Sequence, residues 1–245
     1  SVIISNEQTG KIALLLDTMK PELIGQAIQL FDVKSLNKVE NVCSDMSPMM
    51  KKIIKQYMPN ATNTIDKYHV IKQVIDALNG ERLKIKRDIR ISSEVNKDNP
   101  NGWTDIEFLE KCRYWIYIRK SNQSQEQKEY LEKLYQKFPT LKQAVELTEE
   151  IRSWYDNKNI GQQQLQLEKL LDRWLVKIEQ SKLSTFKFVI KLFEKHHDQI
   201  IGYFKHGHTS AKGENLNGRI QRFLLNSYGT RDRDFFFYRV QVYFS

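Results

Sequence analysis

Short aliphatic runs and a helical stripe alternate at the start of the chain. Residues 2–5 and 11–16 are runs of β-branched or aliphatic side chains, joined by a polar stretch that ends in Gly10. This pattern predicts a hairpin in which the glycine supplies the turn conformation. Pro21 then opens a predicted helix whose apolar positions fall on one stripe: Leu23, Ile24, Ala27, Ile28 and Phe31.

Two more strands follow, again with a helix between them. Residues 39–43 and 61–65 are the strand-like runs. Between them, Ser47 before Pro48 has the pattern of an N-cap and a proline at the first helical position, which predicts a helix to about residue 57. Strands interleaved with helices predict an α/β fold with a layered core.

From about residue 70 to residue 205 the apolar side chains recur at helical spacing, with almost no strand signal. A block of this length is too long for a loop, so we predict a large all-helical insertion within the α/β domain. The predicted organisation is residues 1–69 as the N-terminal part of the core, 70–205 as the insertion and 206–245 as the C-terminal part. We interpret the four tryptophans of the insertion as helix-packing residues.

The C-terminal part holds two predicted elements. Residues 213–226 read as a helix, and 235–244 as either a helix or a strand. The chain has a net charge of +9 and a pI near 9.3, and residues 181–245 carry eleven Lys or Arg against five Asp or Glu. Such a surplus predicts either a surface that holds phosphates or a solvated face.

The composition and the missing motifs argue against several classes of protein. Hydrophobic residues make up 40% and charged residues 28%, which is typical of a soluble globular chain. No apolar run approaches a membrane span, and no signal-peptide pattern begins the chain. Cys43 and Cys112 lie far apart outside any CxxC spacing, which favours buried thiols in a reducing cytoplasm. Motifs of the P-loop, GxGxxG, GxSxG and HExxH types are absent.

Candidate chemistry follows the predicted strands. Asp45 and Asp66 each come directly after a strand, where side chains point into the crevice beyond the sheet. His69 lies three residues after Asp66 and would share a helical face with it. The alternative is that both aspartates cap turns or helices. Glu214 lies beside two asparagines in a basic segment and could bind a metal between protein and phosphate, or could be a surface glutamate.

Four of the five histidines precede this segment, at 196, 197, 206 and 208. No cysteine and no strict ligand spacing accompanies them, so phosphate contact or simple exposure is favoured over a zinc site.

Two stretches together resemble a known family. The run from Asp45-Met-Ser through Pro59-Asn-Ala to Asp66-Lys-Tyr-His-Val resembles the central signature of transposases of the ISL3 type of bacterial insertion sequences. The run Glu214-Asn-Leu-Asn217, followed three residues later by Ile220, resembles that family's closing block. Ser210 stands where the family has asparagine, and Tyr68 stands where it has phenylalanine; neither position is a metal ligand.

The resemblance implies an RNase H-like mixed sheet interrupted by a helical insertion. The strands at 2–5 and 11–16 then match the second and third strands of that fold. The first, central strand and the first catalytic aspartate would lie upstream of Ser1, so we expect this fragment to be inactive. Asp45 follows the fourth strand, and Glu214 lies on the late helix, 169 residues further on.

By the same resemblance, Asp45 and Glu214 are the catalytic carboxylates and metal ligands. Asp66 and His69 form an adjoining structural or phosphate-positioning pair, with Asp66 as the alternative catalytic aspartate. The complete enzyme would use two Mg²⁺ (or Mn²⁺) ions, which need hard oxygen ligands. Candidate DNA-binding residues are Lys205, Lys212, Asn217, Arg219 and Arg222.

The implied function is metal-dependent cleavage and transfer of DNA strands during insertion-sequence transposition. The expected partners are transposon-end and target DNA and further copies of the chain, and no membrane. Two alternatives stay open. One is a non-catalytic helical nucleic-acid-binding module, and the other is a protein-interaction scaffold in which the charge only favours solubility.

Overall fold

The structure is a computed structural model that describes residues 2–92, 97–156, 164–206, 211–226 and 232–244. Its strands are β1 (Val2–Ser5), β2 (Ile12–Leu16), β3 (Asn41–Ser44) and β4 (Thr62–Ile65). Its α-helices are α1 (Pro21–Ile28), α2 (Val33–Asn37), α3 (Pro48–Tyr57), α4 (Lys67–Ser92), α5 (Asp105–Lys111), α6 (Gln125–Lys137), α7 (Pro139–Tyr155), α8 (Gln164–Gln180), α9 (Lys187–His206), α10 (Ala211–Asn226) and α11 (Arg233–Phe244).

The chain divides into two compact units. One comprises residues 1–67 together with 198–245, and the other comprises 68–197. All four strands lie in the first unit, at the places where the sequence predicts them. The described part of the second unit holds helices, short 3₁₀ turns and loops, as the helical periods predict. The α/β composition is therefore confirmed.

The strands form two separate sheets in place of the single mixed sheet that we expected. In the described residues, β1 pairs with β2 in antiparallel fashion, and β3 pairs with β4 in parallel fashion. Gly10 closes the β1–β2 hairpin with a φ of 72°, as predicted, because only glycine adopts this conformation without strain. The residues present thus supply two strand pairs, and an RNase H-like arrangement of them stays a proposal.

Because of a bulge in β2, the hairpin contributes side chains to two hydrophobic cores. Ile4 pairs with Leu14, but Ser5 pairs with Ile12, so Ala13 has no opposite residue. One extra residue moves the side chains beyond it to the other face of the strand pair. Ile12 is consequently buried on the same side as Ile3, whereas Leu14 faces the opposite side.

The first core lies between the hairpin and helices α1 and α3. Gly25 on α1 is required there, because a Cβ at this position would lie 2.8 Å from Cζ of Tyr57 on α3. Ser47 caps α3 by accepting the N–H of Met50 at 3.5 Å, as the Ser-Pro pattern predicts. The buried members of this core are Val2, Ile24, Ile28, Ile53 and Met58.

The second core lies between the hairpin and helices α10 and α11. The segment at 235–244, for which the sequence allowed either a helix or a strand, is a helix, α11. It contributes Val240 and Phe244, which pack with Leu216 and Ile220 of α10 against Ile12 of β2. Helices α10 and α11 thus pack on the face of the hairpin toward which the bulge turns Ile12.

The helical unit is held by buried aromatic side chains. Trp154 and Trp174 are buried, and their indole N–H groups donate to the carbonyls of Leu167 and Leu147, both at 2.9 Å. A buried indole N–H needs such a partner. These two tryptophans therefore pack helices, as we interpreted them from the sequence. Among the described residues, no helix has both the length and the apolar character needed to cross a bilayer.

Candidate functional site

Asp45 and Asp66 lie side by side at the carboxyl edge of the parallel pair. Ser44 pairs with Ile65 in the last register position of β3 and β4, and each aspartate is the next residue of its strand. The Asp66 backbone N–H donates to the Ser44 carbonyl at 3.2 Å, which continues the ladder by one step. Adjacent parallel strands are separated by about 4.8 Å. The two predicted aspartates therefore share one edge of the sheet.

Asp45 is exposed at this edge and is held by the start of α3. Its Oδ1 accepts the backbone N–H of Ser47 at 3.0 Å, and its carbonyl accepts the hydroxyl of Ser44 at 3.0 Å. The N-terminus of a helix carries partial positive charge, which favours an anionic group at this place. A carboxylate offers about four lone-pair directions, so one hydrogen bond leaves Asp45 able to bind a cation.

Asp66 occupies a different environment, since only 4% of it is exposed. Burial and the neighbouring charge of Asp66 raise the pKa of the Cys43 thiol to about 12, although a hydrogen bond with Thr64 opposes the shift. Cys43, Thr64 and Asp66 thus belong to one face of the β3–β4 pair. Gly202 of α9 covers this face so closely that a Cβ there would lie 3.0 Å from Thr64 Cγ2.

Two asparagines of the β3–β4 pair have side-chain N–H groups for which the described residues provide no hydrogen-bond acceptor. Thr64 donates its hydroxyl to Asn41 Oδ1 at 3.0 Å, and Ser44 donates its hydroxyl to Asn63 Oδ1 at 3.1 Å. Both Nδ2 groups are buried without an acceptor in the part of the chain that the structure describes. A buried unsatisfied donor costs about 1–3 kcal/mol, which a further acceptor would recover. Sequence reasoning missed these residues because a polar residue in a strand carries no distinctive signal.

His69 lies in the first turn of α4 and is partly buried, with its ring 5.7 Å from the ring of Tyr68 in an edge arrangement. Asp66 falls in the first compact unit and His69 in the second. The pairing of Asp66 with His69 therefore stays a prediction.

The C-terminal candidates lie on α10 or at the end of α9. Glu214 lies within α10, in the helix that the sequence predicts. Arg219 and Arg222 are exposed on the same helix. The guanidinium carbon of Arg219 lies 5.0 Å from the centre of the Phe244 ring. Arg222 Nε donates to the Gly218 carbonyl at 3.2 Å. The predicted residues whose side chains lie outside the described part are Lys205, Lys212, Glu214 and Asn217.

The approach of Glu214 to Asp45 consequently stays a prediction. Within the described side chains, no group of three or more His, Cys, Asp or Glu is placed to hold a metal ion. Of the four clustered histidines, His208 lies outside the described residues and the side chain of His206 outside the described side chains.

Comparison with known proteins places the sequence of this chain in a family. A sequence profile of a family described as transposase, of the DDE and ISL3 type, matches residues 1–240. The transposase for insertion sequence element IS1001 of Bordetella parapertussis is 21% identical over 213 residues, which cover 84% of this chain and 48% of that protein. The chain thus spans about half the length of this curated relative. No solved structure matches the chain. Since the family profile covers nearly the whole sequence, the chain belongs to the ISL3-type DDE transposases.

Proposed function

We propose that this chain forms the catalytic region of a DNA transposase that cleaves DNA and joins DNA strands in the bacterial cytoplasm, with divalent metal ions as cofactors. The observation that carries the proposal is the carboxyl edge of β3 and β4. Asp45 is exposed there at the start of a helix, within a chain whose sequence matches a DDE transposase family along residues 1–240. Ligand sites of open α/β sheets lie at this kind of edge.

The donors at this edge fit a hard cation. Asp45 offers an exposed carboxylate oxygen, which is the ligand type that Mg²⁺ and Mn²⁺ prefer. Asp45 and Glu214 are the proposed metal ligands. When bound, two such ions supply activation of the attacking hydroxyl and stabilisation of the leaving oxygen in phosphoryl transfer.

The protein's own groups bind and orient the DNA in this proposal. Asp45 is held by Ser47, so its carboxylate needs little reorganisation to accept a cation. Arg219 and Arg222 are exposed on the helix that carries Glu214, and each can bind a phosphate by charge-assisted hydrogen bonds. Lys205, Lys212 and Asn217 complete the proposed set of DNA contacts.

The burial of Asp66 favours Asp45 as the metal-binding aspartate of this edge. A residue with 4% exposure offers little surface to a phosphate in solvent. We assign Asp66 to the support of the strand pair, together with His69 as a positioning residue on α4.

An RNase H-like arrangement is part of the proposal. Within the described residues, β1 pairs only with β2 and β3 only with β4, so each pair has a free edge. One further strand that pairs with both β1 and β3 would join them into a sheet of five strands with the order β2-β1-new-β3-β4. In this proposal the unit of residues 68–197 is the helical insertion. Free edges also favour pairing with a second copy, which supports a homo-oligomer.

The test is strand cleavage by a protein that carries this chain together with whatever residues its gene encodes ahead of Ser1. We expect nicking of transposon-end DNA only with Mg²⁺ or Mn²⁺, and we expect Asp45→Asn and Glu214→Gln to abolish it with folding and DNA binding retained. An exposed lysine of α6 that follows Glu132 directly, changed as Lys133→Gln, serves as the control.

Two results would refute the proposal. Glu214→Gln protein that cuts at the wild-type rate would remove the metal-ligand assignment. DNA binding without any metal-dependent cleavage would favour a non-catalytic nucleic-acid-binding module instead.

A further inference from the structure

The loop between α5 and α6 has an unusual charge pattern. From Lys111 to Gln125 the chain carries four Lys or Arg residues and no Asp or Glu. Arg119 pairs with Asp156, at 2.5 Å between Arg119 Nη1 and Asp156 Oδ2. Within the described residues, the other three cations, Lys111, Arg113 and Lys120, form no salt bridge and are exposed. We refer to residues 111–120 as the Tyr114 loop.

This loop has little regular structure, but hydrogen bonds and buried side chains fix it to the rest of the helical unit. The Tyr117 hydroxyl donates to Asn79 Oδ1 of α4 at 2.8 Å. Arg152 of α7 donates to the Tyr117 carbonyl at 3.0 Å, and Gln123 Nε2 donates to the Ile118 carbonyl at 2.9 Å. Two of its side chains, Cys112 and Ile116, are buried in the core of the helical unit. The loop is therefore pre-organised, which lowers the entropic cost of binding a partner.

The outer side of the same loop presents one exposed aromatic ring beside a cation, and a second cation of the loop lies near a tryptophan that precedes α5. Tyr114 is 68% exposed, and the guanidinium carbon of Arg113 lies 5.2 Å from the centre of its ring. Lys111 Nζ lies 5.7 Å from the centre of the Trp103 ring. A ring that is 68% exposed adds little to the hydrophobic core, so burial in the described part of the chain does not account for a tyrosine at this position.

We propose that the Tyr114 loop is a DNA contact, in which Tyr114 stacks on an unpaired base and Lys111, Arg113 and Lys120 hold the adjacent phosphates. Base stacking on an aromatic ring combined with a cationic groove is how proteins bind single-stranded nucleic acid. The surplus of positive charge favours a polyanion over an apolar protein partner, whose binding surface would lack charged residues at its centre. The inference rests on the proposed function, since it supplies that enzyme with a contact to single-stranded DNA.

The experiment measures binding and needs no catalysis. The chain is titrated into a fluorescein-labelled single-stranded oligonucleotide that contains 2-aminopurine, with anisotropy reporting binding and quenching of 2-aminopurine reporting stacking. We expect Tyr114→Ala to weaken binding by roughly 5- to 150-fold and to remove the quenching, and Tyr114→Phe to retain both. Arg113→Gln is expected to lower the salt dependence of binding by about one counterion.

Lys133→Gln on α6 removes the same charge at an exposed position four residues after Glu129 and next to Glu132, and it should leave binding unchanged. Because Tyr114 is exposed, thermal melting of Tyr114→Ala should match that of the wild type. Wild-type binding with no effect of Tyr114→Ala would overturn the inference and leave the proposed function intact. A change in sedimentation without a change in DNA binding would assign the loop to self-association and also overturn it. A failure of metal-dependent cleavage with Tyr114-dependent binding retained would instead reject the proposed function.

Discussion

Asp45 and Asp66 occupy equivalent positions on two neighbouring parallel strands, yet one carboxylate is exposed and the other is buried. Both follow the pair formed by Ser44 and Ile65, and the backbone N–H of Asp66 still donates to Ser44. The difference lies in what surrounds each carboxylate: Asp45 leaves its strand at an exposed position that leads into α3, whereas Asp66 follows Thr64, whose side chain is closely approached by Gly202 of α9.

The two aspartates should therefore differ in their contribution to stability. We expect Asp66→Ala to lower the free energy of unfolding by about 1–3 kcal/mol, because a buried carboxylate holds interactions that alanine cannot make. We expect Asp45→Ala to cost less than about 1 kcal/mol, since it removes the hydrogen bond from Ser47 at an exposed site. Urea unfolding followed by circular dichroism checks both values, and equal losses would contradict the assignment of roles.

Gly25 and Gly218 should respond to alanine with opposite signs. Alanine normally stabilises a helix relative to glycine by about 1 kcal/mol. At Gly218 no atom of the described residues lies within 4 Å of the added Cβ, so Gly218→Ala should raise stability. At Gly25 the Cβ would collide with the ring of Tyr57, so Gly25→Ala should lower stability by about 1 kcal/mol or more. In a Tyr57→Leu background the penalty at Gly25 should shrink, and an unchanged penalty would show that the ring is not its cause.

Both cysteines should be unreactive in the folded protein. Burial raises the pKa of Cys112 to about 12, and burial with the charge of Asp66 raises that of Cys43 to about 12. The thiolate is the reactive form, so it stays scarce at neutral and mildly alkaline pH. We expect slow alkylation by iodoacetamide at pH 8 and rapid modification of both residues in urea. Mass spectrometry distinguishes the two sites, and rapid native labelling of Cys43 would contradict the packed face described here.

Glu110 should give the helical unit a pH-dependent stability. It bonds to Lys86, and it accepts from Arg82 at 3.1 Å; these cations lower its pKa, with the Lys86 bond as the main cause. A carboxylate whose folded pKa is lowered contributes stability above its ordinary pKa of about 4.3, and that contribution is lost as the pH falls.

We expect Glu110→Gln to be destabilising at pH 7, because it leaves the buried guanidinium of Arg82 without its carboxylate. Because Glu110 is partly exposed, the loss should be modest, about 1 kcal/mol. The difference from wild type should shrink as the pH falls below the ordinary carboxyl pKa of about 4.3, and it should vanish only once the pH has passed through the lowered folded pKa of Glu110. Glu132→Gln, which changes an exposed glutamate of α6, is the control. A difference between Glu110→Gln and wild type that stays constant from pH 7 down to a pH well below the ordinary carboxyl pKa would exclude an electrostatic origin.

Local signals in the sequence were sufficient for the elements and for the place of the candidate edge. The strand-like runs predict the four described strands, Gly10 predicts the hairpin turn, and Ser47 with Pro48 predicts the start of α3. Each of these features depends on the conformational preference of a few adjacent residues, so it can be read without the rest of the chain. The positions of Asp45 and Asp66 directly after strands follow from the same signals.

Long-range packing decided what the sequence left open. The segment at 235–244 is mostly apolar, with Arg239 and Gln241 as its polar residues, so its pattern follows neither the helical nor the strand period. Packing against Ile12 and Leu216 selects the helix. The bulge at Ala13 and the burial of Asp66 likewise depend on which surfaces other elements cover, such as the contact of Gly202 with Thr64. The conformation of a residue's backbone depends mainly on its neighbours in sequence. Its exposure also depends on segments that can lie more than a hundred residues away, as Gly202 does from Thr64. A local sequence pattern does not show which distant segment will cover a residue.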